Sequence, residues 1–180
     1  MKDILRLRTS LKEEVEQLLN EQIKREAHSS AVYLSMGSWC DRHGFDNSAS
    51  YLYRQAEEER AHMLKIFKYV TDLGGMAVSP EVTNVPQDFD SFRGVFEQAL
   101  EQEISITESI NRIVAKCHQA QDFTTVAFLQ WFLQEQIEEE YVARRALELF
   151  ETIGEEGVGQ YMIDKQIPKI QYSADEGQEA

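Results

Sequence analysis

The sequence predicts an all-α fold: a four-helix bundle with one long crossover and a short fifth helix at the C-terminal end. Three observations carry this. The prolines of the 180-residue chain are Pro80, Pro86 and Pro168, so residues 1–79 and 87–167 lack the strongest helix breaker. Within those two stretches apolar residues recur at spacings of three and four. No segment shows the strict alternation of a half-buried strand.

The first helix is expected to open on a capping box. Ser10-Leu11-Lys12-Glu13 places a hydroxyl at the N-cap and a carboxylate three residues on. Its stripe is Leu11, Val15, Leu18/Leu19, Ile23, Ala27, Ala31 and Leu34, running to about Cys40 before Gly44 breaks it. Asp46, Asn47 and Ser48 offer caps for the second helix, whose stripe is Leu52, Ala56, Met63, Ile66, Phe67, Val70 and Leu73. Gly74-Gly75 ends it. The stretch from Gly74 to Asp90 is long for a bundle loop and reads as a crossover between the second and third helices, which are then not antiparallel neighbours.

Asp90-Ser91 can cap the third helix, which runs through Phe96, Leu100, Ile104, Ile110 and Ile113/Val114 to about Ala120. After a tight turn at Asp122, the fourth carries Phe123, Val126, Phe128/Leu129, Phe132/Leu133, Ile137, Val142, Leu147 and Phe150. Gly154, Gly157 and Gly159 interrupt the pattern, and Tyr161 to Ile167 reads as a small fifth helix ending near Pro168. The expectation is a single domain over residues 1–180, with the bundle at about 10–152, the fifth helix at about 159–170 and a disordered acidic tail at 173–180. Each long helix would span about 40–45 Å.

Composition excludes several function classes. With 32 Asp+Glu against 18 Lys+Arg the formal net charge is −14, which argues against nucleic-acid binding. Cys40 and Cys117 form no CxxC pair, so a rubredoxin-like iron site and a redox motif are absent. The first ten residues mix Ile4, Leu5 and Leu7 with four charges and lack the apolar core of a signal peptide. No run is apolar enough for a membrane span, and a reducing, cytoplasmic setting is expected.

The informative residues are acids on the apolar faces. Seven-residue spacing keeps side chains on about one side of a helix. Leu19, Glu26, Tyr33 and Cys40 share such a line; so do Leu52, Glu59, Ile66 and Leu73, with His62 one turn after Glu59. Phe96, Glu103, Ile110 and Cys117 share a third. In the fourth helix Leu129, Gln136, Ala143 and Phe150 share one line, and Phe132, Glu139 and Ala146 its neighbour. Each interruption lies near mid-helix, so Glu26, Glu59, His62, Glu103, Gln136 and Glu139 should converge in one interior volume. Unpartnered buried carboxylates are prohibitive, so they must neutralise or hold cations. Carboxylates with one imidazole suit iron, manganese or zinc. A lone Glu on a helix is usually solvated; four helices with the same interruption are not explained that way. His28 and His43 read as surface residues, the cysteines as small buried groups, and Trp39 and Trp131 as packing residues.

These residues resemble a known family. Glu26-x6-Tyr33, Glu58-Glu59-Arg60-Ala61-His62, Glu103 and Glu135-Gln136-Ile137-Glu138-Glu139 look like the non-haem ferritins, of the prokaryotic type. Leu19-Asn20-Glu21-Gln22, Trp39-Cys40 and Phe128-Leu129-Gln130-Trp131 support the resemblance, which covers about residues 11–170. It implies a ferritin-like bundle acting as a ferroxidase and iron-storage protein. Such a protein oxidises Fe(II) with dioxygen at a di-iron centre and stores ferric oxyhydroxide in a homo-oligomeric 24-subunit cage. Carried over by position, Glu26, Glu59 and His62 build the first iron site. Glu59 bridges to the second, which Glu103 and Gln136 adjoin, and Glu139 adds a nearby carboxylate. Glu58, Glu135, Glu138 and Glu139 match a third iron site, and Tyr33 the tyrosine that can donate an electron and a hydrogen bond.

The departures also discriminate. The second Glu-x-x-His motif of other di-iron bundles is replaced by Gln136-x-x-Glu139, which disfavours bacterioferritin, rubrerythrin and the oxygenases. Arg60 stands where bacterioferritins carry a haem-ligating methionine, so no haem is expected. Asp122 matches one acid of the animal three-fold channel, but Thr125 replaces the other.

Overall fold

A computed structural model describes residue 5 and residues 8–173 of the chain. The expected acidic tail lies, beyond Ser173, outside the described residues. Four long helices form the bundle: α1 (Glu13–Arg42), α2 (Asp46–Asp72), α3 (Phe92–Ala120) and α4 (Phe123–Ile153). A fifth helix, α5 (Gly159–Gln166), gives way to a 3-10 turn at Ile167–Lys169, where Pro168 removes a backbone donor. Among the described residues no strand occurs.

Helix α1 packs along α2 and α3 along α4, and the α1–α3 contact joins the two hairpins. Gly37 permits close approach of the first pair: a Cβ there would lie 2.7 Å from the Tyr53 ring. The turn between them holds Gly44 at φ +79°, a left-handed conformation that favours glycine. The crossover is strapped lengthwise to α1. Met76 N donates to Glu16 Oε1 (3.1 Å), Val78 N to Asn20 Oδ1 (2.8 Å), Ser35 Oγ to Pro86 O (2.5 Å) and Trp39 Nε1 to Asp88 Oδ1 (2.9 Å). This strap carries the chain the length of the bundle, so that α3 starts at the same end as α2.

The capping expectations divide. Ser91 Oγ accepts from Gly94 N at 2.9 Å, as the sequence predicts. The capping box at Ser10 does not form. Lys12 is the N-cap of α1 and makes no side-chain cap, while Thr9 Oγ1 turns back to accept from Leu11 N. The caps expected for α2 are also replaced, because Asp46 already lies inside the helix. Its N-terminus is capped from a distance by the buried Asp164 of α5. Asp164 Oδ1 accepts from Ser48 N (2.8 Å) and Oδ2 from Asn47 Nδ2 (2.5 Å). The carboxylate complements the positive end of α2 and docks α5 against it.

Two apolar clusters fill the bundle. One runs through Val32, Met36, Leu52, Phe96, Ala99, Phe150 and Ile163; the other through Leu19, Ile23, Ile66, Ile106, Ile110, Leu129 and Phe132. Cys40 and Cys117 are buried free thiols within them. Leu34 (56% exposed), Ile137 (50%), Phe123 (61%) and Ile104 (36%), expected in the stripes, instead face outward. Each sits on the flank of its stripe, where the neighbouring heptad line takes the interior position.

Candidate metal centre

Between the two apolar clusters lies a polar layer. Each long helix supplies it through the heptad line described above: Glu26 from α1, Glu59 and His62 from α2, Glu103 from α3, and Gln136 and Glu139 from α4. All six are buried. The apolar neighbours seven residues from Glu26, Glu59, Glu103, Gln136 and Glu139 are also buried, so the carboxylates are held at the level of the core rather than at its rim.

Ligand atoms of Glu26, Glu59 and His62 lie within 4.8 Å of one another, a grouping that could hold a metal ion. His62 Nδ1 is 3.9 Å from Glu59 Oε2. Both Glu59 oxygens and Glu26 Oε2 are buried with no hydrogen-bond partner. Glu26 Oε1 accepts from Gln22 Nε2 at 2.7 Å. Orphaned acceptors of this kind are rare, because a buried unpaired carboxylate oxygen loses its water for nothing. Hard oxygen donors with one imidazole suit a divalent first-row cation.

Glu103 is held differently. Tyr33 Oη donates to its Oε1 at 2.5 Å and Gln136 Nε2 to its Oε2 at 3.1 Å. Thr107 Oγ1 lies 3.4 Å from Gln136 Nε2 and donates to Glu140 Oε1 at 2.7 Å. Glu139 Oε2 accepts from Gln55 Nε2 at 3.0 Å. Glu58 and Glu138 lie on the exposed side of the layer and Glu135 is half-buried. They influence Glu139 through charge, but the structure does not draw them into the compact grouping of Glu26, Glu59 and His62.

The electrostatics follow from burial. Desolvation raises Glu26, and it raises Glu59 well above the ordinary carboxylate range, helped by the charges of Glu103 and Glu26. Burial lifts Glu103 to about 7, against hydrogen bonds from Tyr33 and Gln136 that lower it. Burial, then repulsion from Glu103, lifts Glu139 to about 9. Burial lowers His62 to about 4, with a smaller push from Lys65. The imidazole is therefore neutral at neutral pH and offers a ring lone pair.

A pH dependence of metal-free stability follows. A carboxyl whose folded pKa is raised holds a proton that the unfolded chain releases near 4.5, so its contribution falls as pH rises through the folded value. His62 works oppositely, but only between about 4 and its ordinary 6.5. Above pH 6.5 the raised carboxyls dominate, and toward pH 9 the buried thiols Cys40 and Cys117, raised by burial to about 12 and about 11, act in the same direction. Thermal unfolding of the metal-free protein is therefore expected at progressively lower temperature from pH 6.5 to pH 9. A flat or rising profile would contradict it.

Sequence reasoning missed several partners. Gln22 and Gln55 precede Glu26 and Glu59 by four residues on the buried face; both are polar interruptions of the same stripes and could have been read that way. Thr107 and Lys65 carry no such signal, since their roles arise from side chains meeting across helices. Trp131, read as a packing residue, is 37% exposed and stands edge-on to His62. Asp122, the matched channel acid, caps α4 and accepts from both N and Oγ1 of the buried Thr125.

The chain matches the ferritin family, as a ferritin-like domain, over residues 16–153. It is 39% identical over 163 residues to a bacterial non-heme ferritin of Campylobacter jejuni, covering 91% of this chain and 98% of that protein. It is 37% identical over 164 residues to a probable bacterial non-heme ferritin-like protein of Haemophilus influenzae, covering 91% and 99%. Among solved structures, an open pore ferritin from the hyperthermophilic archaeon Archaeoglobus fulgidus superimposes with a TM-score of 0.86 at 34% identity, covering 90% of this chain and 99% of that one. Motif, fold and comparisons agree, and the chain belongs to the ferritin-like family, among the non-haem ferritins of the prokaryotic type.

Proposed function

We propose that the protein is a ferroxidase and iron-storage protein that oxidises Fe(II) with dioxygen at a di-iron centre inside the bundle. The observation that carries this reading is the set of partnerless buried oxygens on Glu26 and Glu59 beside a neutral His62. Fe(II) is substrate here. Glu26, Glu59 and His62 hold one iron, and Glu59, with its two free oxygens, bridges to a second beside Glu103. Gln136 orients Glu103 and leaves the second position weakly filled, which favours turnover. Glu139, Glu58, Glu135 and Glu138 form a more exposed acidic neighbourhood that would take a third iron. Tyr33, hydrogen-bonded to Glu103, would donate an electron as well as that hydrogen bond.

Two irons each give up one electron, together reducing one dioxygen to hydrogen peroxide with the uptake of two protons, and oxygen-rich ligation favours the ferric product. Binding displaces the protons that burial holds on the carboxyls, so uptake releases acid. Ferric product passes to the interior of a 24-subunit cage and joins a ferric oxyhydroxide mineral. Assembly would cover the exposed apolar side chains Met76 and Val78 on the crossover and Val158 and Tyr161 around α5. No helix among the described residues is long and apolar enough to cross a membrane.

The test is aerobic addition of Fe(II) to the purified assembly, followed by near-ultraviolet absorbance. The expected result is rapid oxidation saturating at two to three irons per chain, then slower mineral growth. Oxidation no faster than in protein-free buffer would overturn the reading.

A further inference from the structure

His62 sits in a corner made by two aromatic rings of α4. Phe132 meets it at 5.9 Å between centroids and 75°, and Trp131 at 5.3 Å and 80°. The two walls are themselves perpendicular, 4.9 Å apart at 87°. They differ in how firmly they are held. Phe132 is part of the buried core, so its position is set by packing on all sides. Trp131 is 37% exposed and needs something else to hold its ring.

Lys65 meets that need. It lies three residues after His62 on α2, on the same side of the helix. Its Nζ stands 3.0 Å from the centroid of the Trp131 ring and 5.8 Å from that of Phe132. A cation over an indole face is attracted by the negative face of the ring, and the attraction strengthens where water is excluded. Glu135, one turn beyond Trp131 on α4, adds a favourable charge that draws the ammonium toward α4. The lysine thus bridges α2 to α4 over a face of the tryptophan, and the tryptophan and imidazole rings meet in a T-shaped contact.

We propose that Lys65 is a positioning residue for the metal centre: it pins the Trp131 indole against His62 and thereby fixes the imidazole facing Glu59. This rests on the metal-binding reading of Glu26, Glu59 and His62. The ring of a metal-ligating histidine must be oriented by groups outside the ligand set, and losing such a group typically weakens metal binding by about 10–100-fold. Here the orienting contact on one side is aromatic, and its anchor is a cation.

The sign of the effect separates this role from simple electrostatics. Lys65 is a positive charge near a cation site, so on charge alone its removal should tighten divalent metal binding. Positioning predicts weaker binding. The experiment is Co(II) titration of the intact protein, read by its visible ligand-field spectrum, for wild type, Lys65→Gln and Lys65→Arg. Co(II) does not turn over, so affinity is read apart from oxidation. The expected result is binding about 10-fold weaker in Lys65→Gln and restored in Lys65→Arg, which also stacks on an indole face. In a His62→Ala background Lys65→Gln should have no weakening effect, because there is no imidazole to position.

A second readout follows the ring directly. In a Trp39→Phe background, which leaves Trp131 as the one tryptophan, fluorescence anisotropy decay should show a faster local component after Lys65→Gln. Unchanged or tighter Co(II) binding in Lys65→Gln, or unchanged anisotropy, would overturn the positioning role. Absence of Co(II) binding by wild type would instead overturn the metal-centre reading on which it rests.

Discussion

Glu59→Ala and His62→Ala are each expected to slow the rapid phase of Fe(II) oxidation by more than about 100-fold. Losing a group that merely orients a metal ligand typically costs about 10–100-fold, and in the proposed centre these two side chains are ligands themselves. Glu59 has the larger consequence because its two partnerless oxygens can serve two irons at once. His62→Ala also removes the ring from the corner between Trp131 and Phe132 and leaves a cavity there. Stopped-flow oxidation, with subunit assembly verified by native mass measurement, checks both. The control is Glu57→Gln, an exposed acid two residues from Glu59 on the solvent side of α2. It should behave like wild type. Full activity in either ligand variant would remove that residue from the centre.

Glu59→Gln should do the opposite to stability. In the metal-free protein Glu59 is a buried carboxyl without a hydrogen-bond partner, next to Glu26 Oε2, which is also without one. An amide at position 59 is neutral at every pH and supplies a donor to that oxygen without a proton having to be held on a buried carboxyl. An unsatisfied buried polar group costs about 1–3 kcal/mol, and more when charged. The metal-free variant is therefore expected to be more stable by about 1–3 kcal/mol, which for a chain of this size raises the unfolding temperature by about 2–4 °C per kcal/mol. The gain should be larger at pH 9 than at pH 6.5, because the wild-type carboxyl is harder to keep protonated there. Added Co(II) should stabilise the wild type and do little for the variant. Calorimetry of both proteins with and without metal gives all four quantities. A metal-free variant less stable than wild type at both pH values would refute the account.

Much of this arrangement was legible in the sequence because it rests on helical periodicity. The lines through Glu26, Glu59, Glu103, Gln136 and Glu139 are local facts about helix faces, and the structure buries all five. The long helices and the crossover followed from proline placement and from glycine at the turns. Less legible was whatever depends on two segments meeting. The cap of α2 comes from Asp164, more than a hundred residues away, so the local candidates Asp46, Asn47 and Ser48 were misleading. Ser10 satisfies the capping-box pattern, yet the helix begins only after Lys12. Leu34, Ile104 and Ile137 fit an apolar stripe by spacing, but a stripe is wider than the face that is covered, and its flank is left outside. Lys65 carries no local signal in the sequence, because its partner, Trp131, is on another helix.

The polar layer between the two apolar clusters also bears on how the helices choose their alignment. Apolar stripes alone specify a bundle poorly along its axis, since leucine and isoleucine pack acceptably at several heights. Sliding α1 by one heptad would place Glu26 at the level now held by Leu19 or by Tyr33. Sliding α3 would move Glu103 to the level of Phe96 or Ile110. In either case an acid would lie against hydrocarbon, with the Tyr33–Glu103 hydrogen bond broken and the other carboxyls a heptad away, at a cost of several kcal/mol. The residues that make the metal-free bundle less stable are thus the ones that allow it a single axial register, and a metal that bound them would lock all four helices at that height.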